Sequence, residues 1–125
     1  MADNVQDRVL DLGLNVLDTE ATHIRICTQE PTTYTEATST YSKGYKNFGA
    51  GAVFGAPAAG SPGRKVTSAA ITDGVVDGTG TVTKWAVTDE TNSRFLATGS
   101  LAASQAVTNG NTFSLGAFDI KLLNS

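Results

Sequence analysis

Histidine, cysteine and the carboxylates are the side chains best able to do chemistry, and this chain supplies them sparingly. His23 is its one histidine and Cys27 its one cysteine. A serine-type triad would have to use His23 as base, yet no GxSxG pattern selects a serine to go with it. His23 stands beside Arg25 in an alternating segment, and a catalytic role needs a partner that the sequence does not place. An exposed strand histidine is therefore the expectation. A single cysteine excludes an intrachain disulfide, and in a strand it reads as a small core hydrophobe. With no histidine pair and no cysteine cluster, a zinc site is not expected. Asp73, Asp77, Asp89 and Glu90 carry oxygen ligands suited to calcium, but their spacing does not fit an EF-hand loop, and aspartate beside glycine fits turns better. Gly49-Ala50-Gly51 and Gly78-Thr79-Gly80 lack both the P-loop lysine and the longer dinucleotide-binding pattern. No catalytic, metal or cofactor residue is expected, and the chain reads as non-enzymatic. A pair of carboxylates joined only by folding would leave no motif, as in glycosidases.

Composition narrows the partners. Of 125 residues, 40% are hydrophobic and 17% charged, against a charged share of roughly 25% in ordinary soluble domains. Thr, Ser, Asn and Gly must hydrate much of the surface. The net charge of −3 and the scatter of Lys43, Lys46, Arg64 and Lys65 give no basic stripe for phosphates, so nucleic acid is not an expected partner. No apolar run approaches the roughly 18 residues that span a bilayer, so no membrane partner is expected either. Met1-Ala2-Asp3-Asn4 does not open a basic region followed by an apolar core. No signal peptide is expected, and synthesis in a reducing cytoplasm follows.

The elements that would position any site change period along the chain. Residues 3–18 read as a helix. Asp3 and Gln6 have capping-box spacing, and at helical steps Val5, Val9, Leu12 and Val16 form one apolar stripe while Leu10, Leu14 and Leu17 form another. The combined arc is roughly 200°, wider than the ~100° of a surface helix, and predicts cover on two sides. Gly13, between the stripes, would admit a neighbouring backbone or end the helix early; the pattern resumes in phase after it, which favours the longer helix.

From residue 19 the period becomes two. Ile24 and Ile26 share one face of a strand over 21–27. Residues 28–64 are irregular, rich in Thr, Ser, Gly, Ala and Pro, with Tyr34, Tyr41, Tyr45, Phe48 and Phe54 among them. They predict a long extended arm or loop region with short strands near 39–47 and 51–54, and its aromatics are candidate interface anchors together with Gly13. Residues 65–125 predict antiparallel strands: Lys65–Thr72, a turn at Asp73-Gly74, another at Asp77-Gly78, and a hairpin of Thr81–Thr88 with Ser93–Ser100. Thr81, Thr83, Trp85 and Val87 are placed on one face. Asn109-Gly110 then turns Gln105–Val107 into Thr112–Leu122, with a bulge at Gly116-Ala117. The expectation is one mainly β domain over 1–125, an antiparallel β-sandwich or jelly-roll-like barrel with one N-terminal α-helix.

The segments Leu14-Asn15-Val16-Leu17-Asp18-Thr19-Glu20-Ala21 and Ile26–Ala37 resemble a group of small structural proteins of tailed bacteriophages and prophages. So do Trp85–Asp89, Ser93–Ala97, Ser104–Val107 and Gly110–Phe113, so the resemblance extends over nearly the whole chain. It implies a virion structural protein, foremost a capsid decoration or cement protein that binds the major capsid protein and stabilises the head as symmetric copies. Homo-oligomerisation in the particle and virion localisation come with that implication. A head–tail connector or tail component fits the same resemblance. A receptor- or carbohydrate-binding module, with Trp85 or the tyrosines as sugar platforms, is a different class. Trp85 shares a face with Val87, which favours the core. The resemblance carries over no catalytic residue.

Overall fold

The structure, a computed structural model, describes residues 7–49, 51–59 and 63–122. The chain is mainly β, with antiparallel, curled sheets. Helix α1 (Asp7–Glu20) is followed by β1 (His23–Cys27), a π-helical turn (Glu36–Thr40), β2 (Ser42–Asn47), β3 (Ala58–Ala59) and β4 (Arg64–Thr67). β5 (Ile71–Val76), β6 (Gly80–Asp89), β7 (Arg94–Val107), β8 (Thr112–Leu115) and β9 (Asp119–Leu122) complete it. Six strands form a large sheet in the order β7-β6-β1-β2-β5-β8, and three form a small sheet in the order β3-β4-β9.

α1 runs through Gly13 without a break and ends at Glu20, two residues past the predicted end. It lies against β4 and β9 of the small sheet. Leu14 and Leu17, three residues apart on one helical face, are buried in the common core with Ala21. Val16 is 38% exposed, so the stripe of Val5, Val9, Leu12 and Val16 is not covered at that position. Residues 3–6, and with them Asp3, Val5 and Gln6, lie outside the described residues, as do the side chains of Val9, Leu10 and Leu12. At the far end of the helix, Arg94 of β7 donates to Glu20 at 2.7 Å.

β1 is the centre of the large sheet, hydrogen-bonded to β2 on one side and β6 on the other. Its alternation sends Ile24 and Ile26 inward, where Val82 and Val87 from β6, Ile71 and Val76 from β5, and Phe113 from β8 join them. Val66 of the small sheet belongs to the same core, and Ile120 of β9 packs on it. An aromatic group connects the two sheets: Trp85 stacks on Phe118 with centroids 4.2 Å apart, and Phe118 meets Phe54 edge-on. Gly99 lies directly across from Trp85 in the β6–β7 ladder. A Cβ there would run into the indole ring, so only glycine lets the tryptophan lie flat over β7.

Several strand boundaries differ from the sequence expectation, each for a structural reason. Asp73-Gly74 is no turn: it lies inside β5, where a register shift against β8 absorbs the irregularity and the Phe113 ring sits over Gly74. The predicted strand Lys65–Thr72 divides between the sheets, with Val66 facing the core from β4 and Ile71 from β5. Thr112–Leu122 divides likewise. β8 pairs with β5, residues 116–118 cross over, and β9 pairs with β4. The change of parity read as a bulge is a change of sheet. Asn109-Gly110 does turn the chain, with Gly110 at φ 92°, but it leads from one edge of the large sheet to the other, not into a β7–β8 hairpin. In β6 a register shift at Thr83 puts Val82, not Thr83, into the core with Trp85 and Val87.

The described residues of the arm over 28–64 fold onto the chain's own sheets. They supply β2, the π-helical turn, β3 and the first residue of β4. Ala37, Val53 and Phe54 are buried among them.

Candidate functional site

The chemistry-bearing side chains gather on the outer face of the large sheet. Strand alternation that sends Ile24 and Ile26 inward sends His23, Arg25 and Cys27 outward. The ladders set Arg25 beside Tyr45 of β2 and Ala86 of β6, and continue the row to Val75 of β5 and Thr98 of β7. Glu90, just past the end of β6, folds back over this row.

Arg25 and Glu90 form a two-pronged ion pair: Nε donates to Oε2 at 2.7 Å and Nη2 to Oε1 at 2.8 Å. The third donor, Nη1, reaches the Thr38 carbonyl and the Ser42 hydroxyl, both at 3.1 Å. The guanidinium also lies over the Tyr45 ring, 5.1 Å from its centroid. Only 12% of the Arg25 side chain and 17% of the Glu90 side chain remain exposed. Burial disfavours the carboxylate of Glu90, but hydrogen bonds from Arg25 and Thr88 outweigh it and hold that group below its ordinary range. Arg25 is likewise penalised by burial and is nonetheless held charged by Glu90.

His23 completes the group. Its Nδ1 lies 2.7 Å from the Thr22 hydroxyl and 3.7 Å from Glu90 Oε2. The Thr22 oxygen also accepts the backbone N–H of Glu90 at 2.9 Å. With 14% of its side chain exposed, His23 is not the exposed strand histidine that alternation predicts. The β6–β7 connection covers it. Burial lowers the imidazole pKa, Glu90 raises it and Arg25 lowers it, with a net fall below the usual histidine value. Hydroxyl and carboxylate both address the same ring nitrogen, whereas a triad places them on opposite nitrogens. Thr22 is buried at 4% exposure. The arrangement therefore joins strands to a turn and does not aim a nucleophile at a substrate.

The π-helical turn roofs the neighbouring part of this face. Ala37, with Cys27 and Ala86 beneath it, makes a second small core, against which Tyr41 and Phe95 pack. The Cys27 thiol points at the Ala37 carbonyl, 3.7 Å away, and burial pushes its pKa up to about 11. It is an inert core thiol. Glu36 starts the turn: its carboxylate accepts from Thr32 N–H and Oγ1, while its own N–H donates to Thr33 Oγ1. Thr33-Tyr34-Thr35-Glu36 has capping-box spacing, a signal of this turn that was present in the sequence.

The candidate interface residues have separate fates. Phe54 is buried in the core at 4% exposure and, contrary to the expectation, is no interface anchor, because its ring packs edge-on against Phe118 between the sheets. Phe48 packs on the same core, and Tyr41 on the small outer one. Tyr34 is half-buried beside the π-helical turn. Tyr45 lies half-buried on the outer face beneath Arg25. Gly13 is exposed on α1. The five aromatics thus do not form one patch. Asp89 is buried at 1% exposure, and Asn92 donates to it from both backbone and side chain, which closes the β6–β7 turn.

Among the described residues no three His, Cys, Asp or Glu side chains converge as a metal-binding set. No helix among them is long and apolar enough to cross a membrane. Comparison with protein-family models, with curated proteins and with solved structures found no match.

Proposed function

We propose that this chain is a structural subunit of a tailed-bacteriophage particle, a capsid decoration or cement protein that binds the major capsid protein and stabilises the head. In this reading the two sheets and α1 form a β-sandwich whose work is done by area and shape, without catalysis. The observation that carries it is the exposed apolar side chain at one end of the outer face. Beyond the roof formed by the π-helical turn, Tyr45 and Val75 stand side by side in the ladder, and Val75 is 46% exposed. A large β-branched side chain in mid-sheet, next to an aromatic, suits contact with a broad protein surface. The resemblance of Leu14–Ala21, Ile26–Ala37 and the later segments to phage structural proteins supplies the setting.

The test is binding of the purified chain to particles that lack it. Wild-type protein is expected to saturate a fixed number of sites, and Val75→Glu to bind at least tenfold more weakly with an unchanged circular dichroism spectrum. Failure of the wild-type chain to bind particles would refute the proposal. Saturation at six to twelve copies would instead assign it to a connector ring.

A further inference from the structure

Glu90 is shared among four neighbours, three of them from residues 22–25 and the fourth Thr88 of the preceding strand. Arg25 grips it with two hydrogen bonds, Thr88 Oγ1 donates to it at 2.8 Å, and His23 Nδ1 stands 3.7 Å away. Its backbone N–H meanwhile donates to Thr22 Oγ1. Arg25, held in this way, spends its remaining donor on the Thr38 carbonyl of the π-helical turn and on Ser42. The roof over Cys27 is therefore fastened to the sheet through Arg25, and Arg25 is oriented by Glu90.

The Thr22 hydroxyl meets His23 Nδ1 differently in the two protonation states of that nitrogen. The Thr22 hydroxyl has one proton. With Nδ1 unprotonated, that proton lies on the 2.7 Å contact to the ring. Once Nδ1 carries a proton it becomes the donor, and the hydroxyl proton must turn to the Thr88 carbonyl, a longer contact of 3.3 Å. The imidazolium would then compete with Arg25 for Glu90 and repel the guanidinium beside it. The charged and titratable groups facing this site are Glu90 beyond β6, Arg25 on β1 and Tyr45 on β2, whose ring centroid lies 6.0 Å from that of His23. Asp77 and Tyr34 act on Arg25 from further away.

We propose that Thr22, His23, Arg25 and Glu90 form an acid-released latch: protonation of His23 diverts Glu90 from Arg25 and loosens the π-helical turn over Cys27. The sign follows from the histidine. Its pKa in the fold is lowered by burial and Arg25 against the opposing pull of Glu90, so the closed arrangement is favoured above the ordinary histidine value of roughly 6.5 and weakens as pH falls below it. Glu90 stays ionised through that window, since its own pKa is held down.

Cys27, fully buried beneath Ala37, reports on the latch. Its labelling by 4,4′-dithiodipyridine, a reagent that reacts in acid, is measured from pH 7.5 to pH 5 and divided by the rate of the urea-unfolded chain at the same pH. The expected result is a rise of roughly tenfold in wild type and a flat profile in His23→Gln. A flat wild-type profile, or an equal rise in His23→Gln, overturns the proposal. Should that variant not fold, the wild type decides by NMR: the Ala37–Tyr41 amide resonances must shift with the His23 titration midpoint, and their standing still through it overturns the latch.

Discussion

The two faces of the large sheet are built on different physics. The inner face is Ile24, Ile26, Val82, Val87, Ile71 and Val76, all nearly inaccessible to water and packed against α1 and the small sheet. The outer face has the same strands and the same ladder, yet it holds an ion pair, a histidine and three hydroxyls in close contact. Apolar packing is non-directional and tolerates small shifts, whereas the outer network fixes which atoms must meet. The inner face therefore supplies stability, and the outer face fixes the position of the π-helical turn and the β6–β7 turn relative to β1.

Substitutions can break this contrast, beginning with the largest effect. Trp85→Ala removes the ring that links the sheets through Phe118, and is expected to cost ~3–5 kcal/mol by urea denaturation. Glu90→Ala leaves the Arg25 guanidinium enclosed without its carboxylate. The expected loss is ~2–3 kcal/mol, below the figure for a fully buried pair because both side chains keep some solvent contact. If the outer face acts through specificity, Arg25→Met combined with Glu90→Leu costs less than Glu90→Ala alone. A double variant worse than the sum of its singles would remove the distinction between the faces. Gly99→Ala drives a methyl group into the Trp85 ring and is expected to cost ~1–3 kcal/mol.

Acid sharpens the same comparison. Glu90 has a lowered pKa in the fold, so its contribution is complete above the unfolded-state value of roughly 4.3 and is lost as pH falls below it. Urea midpoints at pH 7 and pH 3.5 are expected to differ less in the Arg25→Met/Glu90→Leu variant than in wild type. The smallest effect belongs to the exposed pair of Lys46 and Asp73, 2.9 Å apart with Asp73 two-thirds exposed. Asp73→Asn is expected to change stability by less than ~0.5 kcal/mol.

What could be read in advance follows the same division. Ile24 and Ile26 showed the inner face by period alone, because apolar periodicity is a local signal, whereas the two stripes of α1 predicted cover on two sides and Val16 is exposed. Strand breaks were harder to read. Phe118 and Ile120 take the opposite parity to Phe113 and Leu115, and a bulge and a change of sheet leave the same trace in sequence. The outer network was hidden, because Arg25 and Glu90 lie 65 positions apart and each looks like an ordinary surface charge. His23 seemed to lack a partner for the same reason. Phe54 looked like an anchor for another protein because nothing local revealed that 116–118 would bring Phe118 to it.

The proposed role turns on where the outer face sits in a particle. The most direct measurement is a density map of the intact virion at a resolution that places side chains. The expected map contains many symmetric copies of this chain on the capsid exterior, with Tyr45 and Val75 against the major capsid protein. A map of a complete particle with no density for this chain would contradict the role.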